Sequence, residues 1–198
     1  ILSSEPCCFA PKFTYHGFRY AEISVSNGSL EDVDITDIVG LVLSQNLKRT
    51  GYFDCSDAIV NKVYQNAYWG QLGNFISVPT DCPQRDERLG WTGDTQVFCD
   101  SAMYNADCNR FYRNYMDIMR ADCCEDGAVP SFVPMFFGVN RETCGSPCWG
   151  DAVAVIPYMH YRFYGDKRII KENLSQAKKW IDFYRAHLDE NNLVQGLF

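Results

Sequence analysis

The stretch from Ser77 to Asp94, which reads S-V-P-T-D-C-P-Q-R-D-E-R-L-G-W-T-G-D, constrains the fold of this chain more than any other. Pro79 and Pro83 forbid a helix through its first half, because proline lacks a backbone donor and biases the preceding residue towards extended conformations. Gly90 and Gly93 interrupt the second half. The stretch therefore predicts an ordered loop between helices, and charged loop residues on a rigid scaffold are often functional.

The same loop concentrates side chains that suit acid–base chemistry on a polar, uncharged substrate. It carries four carboxylates, two guanidinium groups and an indole: Asp81, Asp86, Glu87, Asp94, Arg85, Arg88 and Trp91. One carboxyl can be kept protonated by burial or by a neighbouring anion while another stays ionised beside an arginine. An indole offers an apolar wall to a sugar ring, and paired carboxylates carry out glycoside hydrolysis. Residue types alone leave open the alternative of a loop pinned by internal Asp–Arg pairs.

The order of the residues decides between these alternatives. The run from Pro79 to Asp94 resembles the signature loop of bacterial α-L-rhamnosidases, glycoside hydrolase family 78. From roughly Pro11 to the end, five more blocks follow the family's order at about its spacing. These blocks are F-T-Y-H-G-F-R-Y (Phe13–Tyr20), L-K-R-T-G-Y-F-D-C-S (Leu47–Ser56), D-G-A-V-P (Asp126–Pro130), W-G-D-A (Trp149–Ala152) and Y-G-D (Tyr164–Asp166). The resemblance implies an (α/α)₆ barrel, a toroid of six helical hairpins, preceded by a β-sandwich.

Composition narrows the classes of partner. Of the 198 residues 46% are hydrophobic, which supplies a substantial core, and the net charge of −7 disfavours binding to nucleic acid or anionic membranes. The longest apolar runs, such as Ala152 to Pro157, are far shorter than a membrane span. No signal peptide is visible in the first residues. The chain does not begin with methionine, so we expect that its N-terminus has been cut away. We also expect a cytoplasmic protein.

The ten cysteines do not form a recognisable metal or disulfide pattern. No C-x-x-C pair occurs, and Cys144 and Cys148 have no histidine nearby that would complete a zinc site. Adjacent pairs such as Cys7-Cys8 are awkward to bridge on themselves. We therefore expect reduced, buried thiols and no metal, with a bridge near Cys144 and Cys148 as the alternative.

Two regions differ in local pattern, and the boundary lies near residue 50. Residues 1–50 contain two strand candidates, Phe13–Ile23 and Ile38–Ser44, which we interpret as the last strands of a β-sandwich and a linker. Residues 51–198 read as mainly α. The expected helices run from a cap at Ser56 to Gly73, from about Thr95 to Asn105, from about Cys108 to Cys123, from Asp151 to Tyr164, and from Lys167 to about Leu188. A closed toroid needs about twelve helices, so the chain resembles the truncated first half of a barrel.

The resemblance assigns roles to seven residues. Glu87 matches the general acid that protonates the departing glycosidic oxygen. Three further residues match positions that hold the sugar hydroxyls or orient the acid, and three more match aromatic and acidic residues of the sugar pocket: Asp81, Arg85, Asp94, Trp91, Trp149 and Asp151. The alternatives are loop braces, helix caps at Asp94 and Asp151, and a core position for Trp91.

The expected activity is inverting hydrolysis that releases terminal α-L-rhamnose from glycosides or plant polysaccharides, without a cofactor. An inverting enzyme also needs a general base on the opposite face of the ring. In the family this base is a glutamate from the later half of the barrel, and no segment here matches it. We therefore expect the isolated chain to be inactive. The alternatives are another (α/α)₆ glycosidase or lyase, or a non-catalytic carbohydrate-binding fragment, and a homo-oligomer stays open.

Overall fold

A computed structural model describes residues 8–34, 36, 38–136, 138 and 140–194 of the chain. Its main elements are α1 (Ala58–Asn74), α2 (Thr92–Asn105), α3 (Asn109–Asp122), α4 (Ala152–Tyr164) and α5 (Lys167–Ala186). Two short strands, β1 (Phe75–Ile76) and β2 (Val78–Pro79), form an antiparallel pair between α1 and α2. Short 3₁₀ turns lie at Leu30–Asp32 and Arg141–Thr143. The mainly α class that the sequence predicts is therefore confirmed.

Side chains at the helix ends explain where the helices begin and stop. The predicted cap at Ser56 is wrong by one residue, because the Asp57 carboxylate accepts from the backbone N–H groups of Ile59 at 2.7 Å and Val60 at 3.3 Å. The Asp166 carboxylate accepts from Arg168 N at 2.9 Å and caps α5 in the same way. Between α4 and α5, Gly165 ends the helix in the left-handed region at φ 66°.

The strands predicted for Phe13–Ile23 and Ile38–Ser44 are wrong for the described structure. Both segments run without strand pairing, and most of their side chains are exposed. A strand is stabilised by a neighbour that accepts its hydrogen bonds, and no described strand lies beside either segment. A segment rich in β-branched and aromatic residues thus favours a strand conformation. The strand forms only where a neighbouring strand pairs with it.

Helices α2 and α4 lie side by side and run in the same direction. Near their beginnings the indole of Trp149 rests against Gly93, and near their ends the rings of Tyr104 and Phe163 meet at 4.6 Å between centroids. The long connections that precede the two helices therefore meet at one end of the array. That shared end is where the signature loop lies.

Helices α3 and α5 pack against α4 and complete the core. The start of α3 meets the end of α4, where His160 Nε2 lies 3.2 Å from the backbone oxygen and 3.1 Å from the side-chain oxygen of Asn109. Burial lowers the pKa of His160, so this histidine is a neutral core residue. The largest fully buried side chains are mainly apolar or aromatic and include Tyr112, Tyr115, Met116, Met119, Ile156 and Ile169.

The nine cysteines in the described residues are all free thiols, and Cys7 lies outside them. Burial raises the pKa of the Cys99 and Cys108 thiols to about 12, so both stay protonated and behave as small core residues. Among the described residues, no helix combines the length and apolar composition needed to cross a membrane.

The described array leaves apolar side chains uncovered on α1 and α2. Ile59 is 75% exposed, Val97 is 81% exposed, and Val63 is also exposed. At about 25 cal/mol per Å² of apolar surface, a few hundred uncovered Å² forfeits several kcal/mol. Such surface drives association in water.

We predict that the isolated 198-residue chain self-associates, and that replacing Ile59, Val63 and Val97 together by lysine reduces the association. Light scattering at several protein concentrations measures the effect. A monodisperse monomer with a cooperative melt, for the unmodified chain, would contradict this prediction.

Candidate active site

The signature loop is closed at its base by Asp81 and Leu89. Asp81 N donates to the Leu89 carbonyl at 3.1 Å, and Leu89 N donates to Asp81 Oδ1 at 3.0 Å. The Asp81 side chain is 9% exposed, so a mostly buried carboxylate forms one of these two links. The bracing role that the sequence left open for Asp81 is therefore present in the structure.

Within the closed loop, Arg85 lies among the acidic residues. Its Nη2 is 2.6 Å from Glu87 Oε2 and 3.6 Å from Asp81 Oδ2, and its Nε is 3.3 Å from the Cys82 sulfur. The Glu87 side chain is 34% exposed, which leaves its carboxyl accessible from outside. The loop therefore presents Glu87 at the surface while Arg85 fixes its direction.

Metal-ligating atoms come together at one place in the described part of the chain. Asp81, Cys82 and Glu87 each offer an atom, and these atoms lie within 4.8 Å of one another. Arg85 contacts all three side chains, so a guanidinium group already supplies positive charge there. The arrangement suits an ion-paired acid better than a cation site.

Asp94 lies in the first turn of α2 beside a cavity of about 270 Å³. The helix begins at Thr92, so the expected cap at Asp94 is wrong. Burial raises the pKa of Asp94, and the negative charges of Asp81 and Glu87 raise it further. Three carboxyl groups of the signature loop thus interact electrostatically, and two of them, Asp81 and Asp94, line the cavity.

The cavity lining is partly polar and partly apolar. Asp81 and Asp94 are among its polar residues, and Phe75 and Phe98 are among its apolar residues. A mixed lining of this kind suits a sugar, which offers hydroxyls at its edge and C–H groups on its face.

Thr80 also lines the cavity, together with Asn74. Its hydroxyl donates to the Asn74 backbone oxygen at 3.0 Å and lies 3.2 Å from the side-chain oxygen of the same residue. Sequence reasoning missed both residues. Thr80 lies inside the signature loop and could have been found from that position, whereas Asn74 is an ordinary helix-end residue without a signal.

Trp91 lies between the core and the loop. Its ring meets Phe132 edge-to-face at 5.3 Å between centroids, and the two residues also form an isolated bridge. The residue is partly buried, and its indole N–H is buried without a hydrogen-bond partner. It is not among the residues that line the cavity. The structure therefore gives Trp91 a packing role with one unused donor.

Trp149 lies beside the signature loop, 56 positions along the chain from Gly93. A Cβ atom added to Gly93 would lie 2.9–3.0 Å from atoms of the Trp149 ring, so the indole lies directly on the first turn of α2. The residue is 37% exposed. This places an accessible aromatic face one residue from Asp94.

Asp151 precedes α4, and both of its carboxylate oxygens are engaged. Oδ1 accepts from Trp180 Nε1 at 2.9 Å, and Oδ2 accepts from Cys148 N at 3.1 Å. Asp151 thus joins the start of α4 to α5. The structure brings Asp81, Arg85, Glu87 and Asp94 together with Trp149 beside them, and it gives Asp151 a bracing position.

Comparison with known proteins shows the family to which the chain belongs. Residues 48–196 match the model of the bacterial alpha-L-rhamnosidase 6 hairpin glycosidase domain. Residues 1–43 match the bacterial alpha-L-rhamnosidase concanavalin-like domain. The chain belongs to the bacterial α-L-rhamnosidase family.

Two curated α-L-rhamnosidases show how much of a family member the chain covers. An α-L-rhamnosidase of Formosa agariphila is 40% identical over 176 residues, which are 89% of this chain and 19% of that protein. One from an Alteromonas species is 37% identical over 183 residues, 92% of this chain and 20% of that protein. The chain therefore spans about a fifth of the length of these relatives.

Solved structures agree with the fold. The α-L-rhamnosidase of Streptomyces avermitilis, determined in complex with L-rhamnose, superposes with a TM-score of 0.70 at 36% identity, over 74% of this chain and 14% of that one. The α-L-rhamnosidase of Dictyoglumus thermophilum gives a TM-score of 0.74 at 36% identity, over 79% and 17% of the two chains. The predicted six-hairpin fold class is therefore confirmed.

The raised pKa of Asp94 leads to a prediction about stability. A raised pKa means that the folded protein holds the proton more tightly than the unfolded chain, whose aspartates titrate near about 3.9. The stabilisation from protonation is fully present below that value and is lost as the pH rises through the folded pKa. Ionised Asp94 therefore costs stability at neutral pH, and because the residue as a whole is exposed, solvent screening keeps that cost small.

We predict that Asp94→Asn raises the melting temperature at pH 7, and that the gain shrinks as the pH falls towards about 3.9. Melting curves at several pH values measure it, with Asp86→Asn, a change at a fully exposed carboxylate of the same loop, as the control. A variant less stable than the wild type at pH 7 would show that Asp94 is a structural brace.

Proposed function

We propose that this chain supplies the acid side of the active site in an inverting exo-glycosidase that releases terminal α-L-rhamnose. One observation carries the proposal: the signature loop presents Glu87 at the surface, paired with Arg85, next to a cavity lined by Asp81 and Asp94. Carbohydrate is the class of substrate that suits this lining, and family membership narrows the sugar to rhamnose.

Glu87 is the proposed general acid. It gives its proton to the glycosidic oxygen as the bond to the sugar breaks, and it is left as a carboxylate. Arg85, 2.6 Å away, stabilises that carboxylate as the charge develops. Because the Arg85 side chain is well exposed, it is free to turn away when the acid takes up a new proton.

Asp94 and Asp81 hold the sugar in the proposed site. Asp94 projects from the first turn of α2 at the cavity, where its carboxyl can accept hydrogen bonds from sugar hydroxyls. Asp81 fixes the loop through Leu89 and contributes its remaining acceptor capacity to the same cavity. Trp149, which is 37% exposed and packs on Gly93 outside the cavity lining, is the proposed aromatic contact for a sugar ring.

The general base is proposed to come from helices beyond this chain. Inversion needs a second carboxylate on the opposite face of the ring, about 6.5–9.5 Å from the acid, so that a water fits between them. Asp81, in the same loop as Glu87, is committed to Leu89 N and Arg85. A chain that spans about a fifth of its relatives leaves ample length for the missing partner.

We predict that Glu87→Gln in the complete enzyme lowers kcat by about 10²–10⁴-fold on rhamnosides with poor leaving groups, because they need the proton most. Rhamnosides with good leaving groups should be affected much less, and binding should be largely spared. The matched control is Asp86→Asn, at the neighbouring and fully exposed carboxylate.

Steady-state kinetics over a series of aryl rhamnosides measures the effect of Glu87→Gln. Near wild-type kcat across the whole series would contradict the assignment of the acid. Release of a sugar other than rhamnose by the wild-type enzyme would favour a different (α/α)₆ glycosidase, and sugar binding without any turnover would favour a binding module.

Substitutions at the two tryptophans should have different effects on kinetics. We predict that Trp149→Ala raises KM, because its exposed face is available for stacking, and that it also lowers the melting temperature, because its indole packs on Gly93. Trp91→Ala should mainly lower the melting temperature, because it removes the contact with Phe132. Kinetics and thermal melts of both variants measure this, and the reverse pattern would assign the sugar contact to Trp91.

A further inference from the structure

A segment far from the helices in sequence lies on the signature loop. Among residues 11–20, Tyr15 and Gly17 are partly buried, whereas the residues around them are exposed. Tyr15 and Gly17 are both partly covered by the loop that carries Glu87. The segment therefore touches the proposed catalytic loop through two alternate residues.

The two contacts hold the signature loop at residues before and after Glu87. Before it, the Pro83 carbonyl accepts a hydrogen bond from Gly17 N at 3.1 Å. After it, Arg88 Nη1 donates to the Tyr15 carbonyl at 3.0 Å, and its guanidinium lies 5.3 Å from the centre of the Tyr15 ring. A loop held at both flanks has little freedom to turn the side chain between them.

The fit at Gly17 leaves no space for a side chain. A Cβ atom added there would lie 3.0 Å from Gln84 Cβ and 3.1 Å from both Gln84 Cα and N. Two of these neighbours are backbone atoms, which move only if the loop itself moves. The contact is therefore a close backbone-to-backbone approach.

Arg88 is also held in an uncommon backbone conformation. Its φ is +48°, in the left-handed region that a residue with a Cβ adopts only when its surroundings fix it. The contacts to Tyr15 help to hold Arg88 there, since Asp86, the acidic group paired with it among the described residues, is fully exposed and 3.7 Å away. Because Arg88 directly follows Glu87, its backbone conformation helps to set the direction of the acid.

We propose that the segment Tyr15–Gly17 and Arg88 are positioning elements for the general acid: they lock the loop so that Glu87 faces the glycosidic oxygen. This inference rests on the proposed function of Glu87 and extends it to a part of the chain that precedes the helical array. On this proposal, the efficiency of proton donation depends on contacts that involve neither the substrate nor the Glu87 carboxyl.

The test uses Arg88→Met and Gly17→Ala in the complete enzyme. Misplacing the acid should lower kcat on rhamnosides with poor leaving groups by about tenfold or more and change it less for good leaving groups. Arg88→Lys, which keeps a donor and a charge, should restore part of the rate. The matched control is Arg162→Met on α4, where the guanidinium lies over Tyr158 at 6.0 Å, outside the loop.

A purely structural role gives a different result. It would lower melting temperature and reduce the rates on all leaving groups by the same factor, and this outcome would overturn the proposal. Rates indistinguishable from those of Arg162→Met would also overturn it. A steeper dependence of rate on leaving-group pKa in both variants, absent from the control, supports it.

Amide hydrogen exchange tests the contact without any turnover. In Gly17→Ala the amides of residues 84–89 should exchange faster, while those of α5 stay unchanged, and unchanged exchange in the loop would overturn the proposal. If the wild-type enzyme releases no rhamnose, the proposed function fails on its own, and hydrogen exchange still decides whether the segment locks the loop.

Discussion

The close contact between the Trp149 indole and the backbone of Gly93 fixes where the two long connections meet. Because Gly93 has no side chain, the Trp149 indole can lie on the first turn of α2, which brings the connection before α4 against the signature loop. At Gly150, which directly follows Trp149, an added Cβ atom would lie 2.3 Å from the Trp180 ring. Two glycines thus allow two tryptophans to join α2, α4 and α5 at one end. Larger residues at either position would separate the loops that make the site.

The helices and their order could be predicted from the sequence, because each depends on local information. Apolar spacing identifies α3 and α5, the predicted cap at Ser56 lies one residue before the observed cap at Asp57, and the predicted start of α5 at Lys167 agrees with the structure. The two predicted strands depend on neighbours that local pattern does not supply, and there the prediction was wrong. A helix satisfies its own backbone, whereas a strand must find its partner elsewhere.

The composition of the candidate site was also accessible from the sequence, since Asp81, Arg85, Glu87 and Asp94 lie in one motif that resembles a family signature. Their arrangement was not. The Asp151 carboxylate is engaged by Trp180, 29 positions away, and Arg88 holds Tyr15, 73 positions away. Contacts between residues so far apart in sequence depend on how helices and segments pack in three dimensions. A pattern in a single sequence does not contain that information. The roles of the site residues stay predictions until the variants are measured.

The electrostatics of the loop explain why a glycosidase would keep so many charges together. Asp94 has a raised pKa because burial and two neighbouring carboxylates oppose its ionisation, so it costs stability at neutral pH. Arg85 offsets part of this repulsion by pairing with Glu87 and Asp81. The loop is thus under internal repulsion that Arg85 only partly neutralises.

The loop that carries these charges is restrained at several points. The Asp81–Leu89 links close its base, and the Tyr15–Gly17 segment holds its tip at Pro83 and Arg88. The helical array holds both ends of the loop as well: Thr80 N donates to the Asn74 carbonyl at 3.0 Å, and the Tyr115 hydroxyl donates to the Gly90 carbonyl at 2.9 Å. In the proposed arrangement, the Tyr15–Gly17 segment adds a restraint between these two ends, next to Glu87.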